Sequence, residues 1–209
     1  MRFRKATGAA LIVAGVFVAA SASATTAQHS PVASPDPSPS AVVSTQTAPN
    51  SADMMFVAMM IPHHFQALVM SELAPGRSHD DELLAMANRI DVEQSVEIGS
   101  MQGWQGRNSL EVTDAQQAYE EMLHHPEHLE HMGMASPAQL AELSAAQGTT
   151  FDVLFLQLMI RHHEGAVRMT IDVIVNGNDQ FIQQVATDMM TTQNTQIHQM
   201  ETILANKTP

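Results

Sequence analysis

The sequence predicts an all-α fold, a four-helix bundle made of two duplicated helical hairpins joined by a long helical crossover. The first observation behind this is an internal repeat at an offset of 99 residues. Without a gap, Asp53, Phe56, Met60, Ile61, His63, His64, Ala67 and Met70 fall on Asp152, Phe155, Met159, Ile160, His162, His163, Ala166 and Met169. The same offset carries Ala87, Gln94, Ile98 and Met101 onto Ala186, Gln193, Ile197 and Met200. The second observation is spacing. Within each copy the apolar residues recur at three and four, the period of a helix face, and no alternating strand pattern competes with it.

Residues 1–24 read as a signal peptide, with a basic start at Arg2, Arg4 and Lys5, an apolar run from Gly8 to Ala20 and the small residues Ala22-Ser23-Ala24. The alternative is an uncleaved anchor, but the run is shorter than the roughly 20 apolar residues a bilayer requires. Residues 25–50, rich in Pro, Ser, Thr and Ala, bury too little apolar surface to offset the entropy of ordering and read as a disordered tether. The bundle is expected over 51–205, with repeat one at 51–104, a His/Met-rich connection at 105–150 and repeat two at 151–205.

Ser51 is the expected N-cap of the first helix, with Asp53 in its first turn and Pro75-Gly76 beyond its end near Leu73. Pro62 interrupts that helix's hydrogen bonding, and Arg161 stands in its place in the second copy. A second helix is expected from about Asp80 to Met101, frayed by Gly99, Gly103 and Gly106. The connection is read as two short helices, one begun by Pro126 and one by Ser136-Pro137. Thr149 or Thr150 is expected to cap the third helix, with Asp152 repeating the role of Asp53. That helix runs to about Val175, the turn Asn176-Gly177-Asn178 follows, and a fourth covers about Gln180 to Leu204. Two hairpins and a longer crossover are the connectivity of a ferritin-like bundle.

Removing residues 1–24 leaves six Lys and Arg against 22 Asp and Glu, a formal charge of −16. Such a surface repels nucleic acid and anionic lipid and attracts cations. The expected partner is therefore a metal ion, with no nucleic acid and no membrane insertion after signal cleavage; no oligomeric state is assigned. Cysteine is absent, so 16 Met and 11 His are the soft and borderline ligands available.

Adjacent helical residues point about 100° apart, so one His of each pair faces the seam and the other the flank. His63 shares its face with Met59, Met60, Ala67 and Met70, and His162 shares its face with Met159, Ala166 and Met169, while His64 and His163 lie toward the flank. Methionines alone read more readily as adaptable core filler. The His pairs, present in both copies, favour metal ligation. Gln94 and Gln193 interrupt otherwise apolar stripes at equivalent places, either hydrogen-bonding the seam histidines or tying the hairpins together. In the connection, His128, His131 and Met132 would share a helix face, with His124 and His125 arriving from the preceding turn and Met134 flanking; the alternative is a solvated polar loop. A di-iron site wants carboxylates from all four helices, and only Glu121 and His124 make the Glu-x-x-His spacing. A zincin motif begins at His163-Glu164 and fails at Val167.

With these motifs the chain resembles the bacterial family known as domain of unknown function 305. The residues that carry the resemblance are Met60-Ile61-Pro62-His63-His64 with Ala67, and Phe151-Asp152, Phe155-Leu156, Met159-Ile160, His162-His163-Glu164-Gly165-Ala166 and Met169. Gly133-Met134 and Gln94 with Glu97 and Met101 also fit, so the resemblance covers about residues 51–205. It implies a ferritin-like helical bundle, usually exported, with some relatives linked to copper binding and copper tolerance. Phe65-Gln66 departs from the Glu164-Gly165 of the second copy, and Gln196 from the Glu97 of the first, which implies two sites of different affinity.

The expected function is an exported, non-catalytic protein that sequesters or buffers copper, as Cu(I), Cu(II) or both, with zinc or silver as alternative ions. The principal ligands would be His63, His64, Met60, Met70, His162, His163, Met159 and Met169. The connection would add weaker capacity through His124, His125, His128, His131, Met132 and Met134. The rival readings are a metal-dependent redox enzyme and a helical interaction module with structural histidines.

Overall fold

In the computed structural model, residues 48–207 are described. The expected signal segment and most of the expected tether lie outside them. Helix α1 (Ser51–Ser71) starts one residue earlier than expected, because the cap is Asn50 and not Ser51. The Asn50 side chain accepts from the Ala52 and Asp53 N–H groups, and the Asp53 carboxylate accepts from the Asn50 N–H, so three N–H groups at the helix start are satisfied by a reciprocal pair of side chains. The helix runs through Pro62 without a break. A single 3₁₀ turn at Ala74–Gly76 leads to α2 (Asp81–Arg107), capped by Asp80.

Helix α2 does not fray at its glycines. Each glycine costs about 1 kcal/mol in a helix, but continuing past Met101 buries Trp104 to 2 % exposure, which more than repays Gly103 and Gly106. The crossover holds three short helices where two were expected: α3 (Ala115–Met122), α4 (Pro126–His131) and α5 (Pro137–Ala145). Tyr119 and Met122 of α3 cover an apolar cluster with Leu129, Met132 and Met134. Helix α6 (Gly148–Asn176) begins after Gln147, with no side-chain cap from Thr149 or Thr150, and α7 (Gln180–Ala205) is capped by Asp179.

Asp152 does not repeat the role of Asp53. Buried Asp53 also accepts from the Asn178 and Asp179 N–H groups, fastening α1 to the α6–α7 turn. Asp152 instead receives Lys207, 2.8 Å away, and Lys207 reaches Asp80 at 2.7 Å. A cation at the end of the chain thus bridges the two acids where the first copy uses backbone N–H groups.

The hairpins α1–α2 and α6–α7 pack within themselves, and α1 lies against α6 across the middle. Two apolar cores result. One holds Met70, Leu83, Ile90, Phe151, Phe155, Met159 and Met200; the other holds Phe56, Met60, Met101, Trp104, Val173, Ile182 and Met189. Along α1 the first core's residues begin at Ala67 and the second's end at Ile61; along α6 they end at Met159 and begin at Ala166. The two His pairs fall between these limits, with Gln94 between Ile90 and Ile98. The bundle therefore carries a buried polar layer at mid-height, between two apolar ends.

Candidate metal centre

All four paired histidines are fully buried. His63 and His162 meet across the α1–α6 seam with ring centroids 3.7 Å apart and stacked, and His64 and His163 stand 6.1 and 6.0 Å from their neighbours. Each ring directs Nε2 at an oxygen. His63 Nε2 lies 3.1 Å from the Met132 carbonyl and His162 Nε2 2.9 Å from the His63 carbonyl. His64 Nε2 lies 2.7 Å from Glu97 Oε2, and His163 Nε2 2.8 Å from Gln196 Oε1. The Gln196 amide is oriented by donating its own N–H to Glu93 at 2.6 Å.

Carbonyl and carboxylate oxygens only accept, so all four imidazoles carry their proton on Nε2. That leaves four Nδ1 lone pairs in the interior, and none has a hydrogen-bond partner. An unsatisfied buried acceptor costs about 1–3 kcal/mol; four of them approach the whole stability of a domain. Burial first, and then the neighbouring His64, holds His63 well below the ordinary histidine value. Burial and then His63 do the same to His162. His163 falls to about 4 through burial, against its hydrogen bond to the Gln196 oxygen. His63, His162 and His163, with Nε2–H fixed on an oxygen and Nδ1 free, are thus in the neutral form that metals bind.

The donor chemistry fits a soft or borderline ion of low coordination number. Among the described residues, the one set of three His or acidic ligand atoms within 4.8 Å of one another is His125, Glu127 and His128, all exposed. The buried nitrogens are not gathered in threes, so the seam offers at most two imidazoles to one ion before a thioether must join. Cu(I) accepts such a set. Met60, Met70 and Met159 are fully buried in the apolar cores that bracket the layer, Met60 in one and Met70 and Met159 in the other. Met169 is only partly buried and lines a surface pocket.

Gln94 and Gln193 were expected to hydrogen-bond the seam histidines or tie the hairpins. They lie buried in the layer, but both polar atoms of Gln94 and the oxygen of Gln193 have no partner. The residues that hold histidines are Glu97 and Gln196, one turn further on. The repeat contains their signal, since each follows its histidine by 33 residues in both copies. Glu93 was missed, because it reaches His163 only through Gln196 and from the other hairpin.

The connection is divided differently from the expected cluster. Met132 and Met134 are buried under α3, away from the exposed His124, His125, His128 and His131. Met132 and His131 do not share a face because α4 ends between them. His125 pairs with Glu127 at 3.6 Å and stacks on His128 with centroids 5.4 Å apart. The buried stretch Met132 to Ala135 enters the seam itself. Ala135 exchanges two hydrogen bonds with Gln66, at 2.6 and 2.9 Å, and Arg161 holds the Gly133 and Met134 carbonyls. Gly165 is required because a Cβ there would be driven into the Met132 carbonyl. The departures between the copies, Pro62 for Arg161 and Phe65-Gln66 for Glu164-Gly165, thus lie where the crossover breaks the pseudo-symmetry.

A family model described as "Domain of unknown function (DUF305)" matches residues 53–204. The crystal structure of a DUF305 fragment from Deinococcus radiodurans is 30% identical, covers 77% of this chain and 99% of its own, and superposes with a TM-score of 0.68. A DUF305 protein from Streptomyces coelicolor, provisionally described as secreted, is 28% identical over 75% of this chain and 94% of its own, with a TM-score of 0.63. CopM in its Cu(I)-bound form is 28% identical over 75% of this chain and 98% of its own, with a TM-score of 0.60. CopM structures with Cu(II) and with Ag are also similar to the chain. No curated protein matches the chain significantly.

Proposed function

The chain belongs to the DUF305 family, and from that premise we propose an exported, non-catalytic protein that sequesters copper at the buried histidine layer. The observation that carries the reading is the set of four unpartnered Nδ1 atoms on buried imidazoles whose Nε2–H groups are already fixed. A bound ion converts their desolvation cost into ligand bonds, and two-coordinate or three-coordinate Cu(I) suits nitrogens not gathered in threes. His63, His64, His162 and His163 are the ligands, with Met60, Met70 and Met159 as the buried thioethers available to complete a site. Gln94, whose amide has no partner, takes up a hydrogen bond when the layer rearranges around the ion.

His125, Glu127 and His128 form a second, weaker class of site suited to Cu(II) or zinc, exposed and rich in imidazole and carboxylate. Metal-bound CopM supports the choice of copper or silver. Export is supported by the basic, apolar and small-residue pattern of residues 1–24 and by the description of the Streptomyces protein. The test is competition of the purified protein against chelators of known affinity for Cu(I), Cu(II) and Zn(II). The reading expects His63→Ala with His162→Ala to abolish the tightest Cu(I) constant, and His125→Ala with His128→Ala to reduce Cu(II) capacity alone. Equal loss of Cu(I) affinity in both variants would sink it.

A further inference from the structure

Where α4 ends against α1 and α6 there is a pocket of about 240 Å³ that the histidine layer does not use. Three methionines and one histidine are among the residues that line it: Met55 and Met59 from α1, Met169 from α6, and His131, the last residue of α4. Met55 and Met59 are four apart and so share a helix face. Met55 is 63 % exposed, while Met59 and Met169 are partly buried. Gly165 lies in the wall, and its missing side chain lets the end of α4 approach α6 closely enough to bring His131 there.

From this juxtaposition of Met55, Met59, Met169 and His131 we infer a separate surface site for one soft monovalent ion, Cu(I) or Ag(I). Thioether sulfur holds hard divalent ions poorly and d¹⁰ monovalent ions well, and a neutral imidazole completes such a set. The charges on the wall agree with a single positive charge. Arg168 is drawn toward the His131 carbonyl at 3.3 Å, and Asp172, one turn along, accepts only from the neutral Asn176 amide at 2.9 Å, so the wall holds one carboxylate to face an arriving cation. A monovalent ion adds one charge next to Asp172, with none of the heavy dehydration a divalent ion demands. The site opens to solvent, so an ion reaches it without parting α1 from α6. The inference rests on the copper reading for the kind of ion and on this pocket alone for the ligands.

Ag(I) is the probe, because it does not change oxidation state. The purified protein is labelled with ¹³C at the methionine methyl groups and titrated with Ag(I), each resonance being assigned by a single Met→Leu variant. The expected result is that Met55, Met59 and Met169 move together within the first few equivalents. Met55→Leu with Met59→Leu and Met169→Leu then binds one ion fewer by native mass spectrometry. Leucine keeps the apolar volume, so this variant retains its helical circular dichroism. His131→Ala weakens the site at least about tenfold, which is about 1.4 kcal/mol, and His63→Ala with His162→Ala leaves these three resonances responding as before. If Ag(I) binds while the three methyls stay still, or move only at millimolar excess, this site is overturned and the copper reading stands. If the protein binds no Ag(I) and no Cu(I) at all, both fall.

Discussion

Acidifying the metal-free protein should unfold it well before its carboxylates are protonated. An imidazole in an unfolded chain takes up its proton near pH 6.5. In the fold, His63 and His162 are held well below that value and His163 at about 4. Between those limits the unfolded state binds more protons, so stability rises with pH there. The contribution is fully present above about pH 6.5 and is lost as the pH falls toward 4. Near pH 5 His163, with its value of about 4, contributes about 1 kcal/mol per pH unit, and His63 and His162 add to the slope in the same direction. A domain of this size has about 5–15 kcal/mol in all. Urea denaturation at pH 7, 6, 5.5 and 5 measures the slope directly. His163→Gln keeps a donor for Gln196 and should lower the slope near pH 5 by about 1 kcal/mol per unit. A stability that is flat from pH 7 to 5 would refute the neutral, buried arrangement of the layer.

Gly165→Ala should cost about 3 kcal/mol, because the new Cβ displaces the Met132 carbonyl and frees His63 Nε2 with it; a thermal melt checks this, and an unchanged midpoint would mean the crossover does not enter the seam. Lys207→Met should also cost about 3 kcal/mol, since it leaves nearly buried Asp152 beside Asp80 with no cation between them, and chemical denaturation should show the loss at pH 7. Raising salt should slow copper uptake while hardly moving the equilibrium constant of the buried layer, because screening at about 0.1–0.15 M acts beyond about 8–10 Å; stopped-flow and equilibrium titrations separate the two.

The bundle and the meeting of His63 with His162 in its seam were legible because both are periodic: the helix period sets the faces, and the repeat marks the residues kept on them. The full burial of His64 and His163, read as flank residues, was not legible. What escaped was set by contacts between segments far apart in sequence. Met132 to Ala135 reads locally as a loop between two short helices, yet Gln66, Arg161 and Gly165 draw it into the seam from both copies. In the sequence, Gln66 and Gly165 read as a difference of affinity between two sites. Gln94 was chosen over Glu97 because a glutamine on an apolar stripe attracts notice, whereas Glu97 sits at the helix flank and depends on which face α2 turns to α1. The glycines of α2 misled because propensity is a local cost, and the burial of Trp104 that outweighs it is not.

The most direct test of the central claim is a ¹H–¹⁵N correlation spectrum of the histidine side chains, taken before and after one equivalent of Cu(I). Without metal, His63, His64, His162 and His163 should all show the Nε2–H tautomer with an unprotonated Nδ1. On adding Cu(I), Nδ1 resonances of the layer should shift while those of His125 and His128 stay in place. Shifts confined to His125, His128 and His131, with the layer unmoved, would contradict the account.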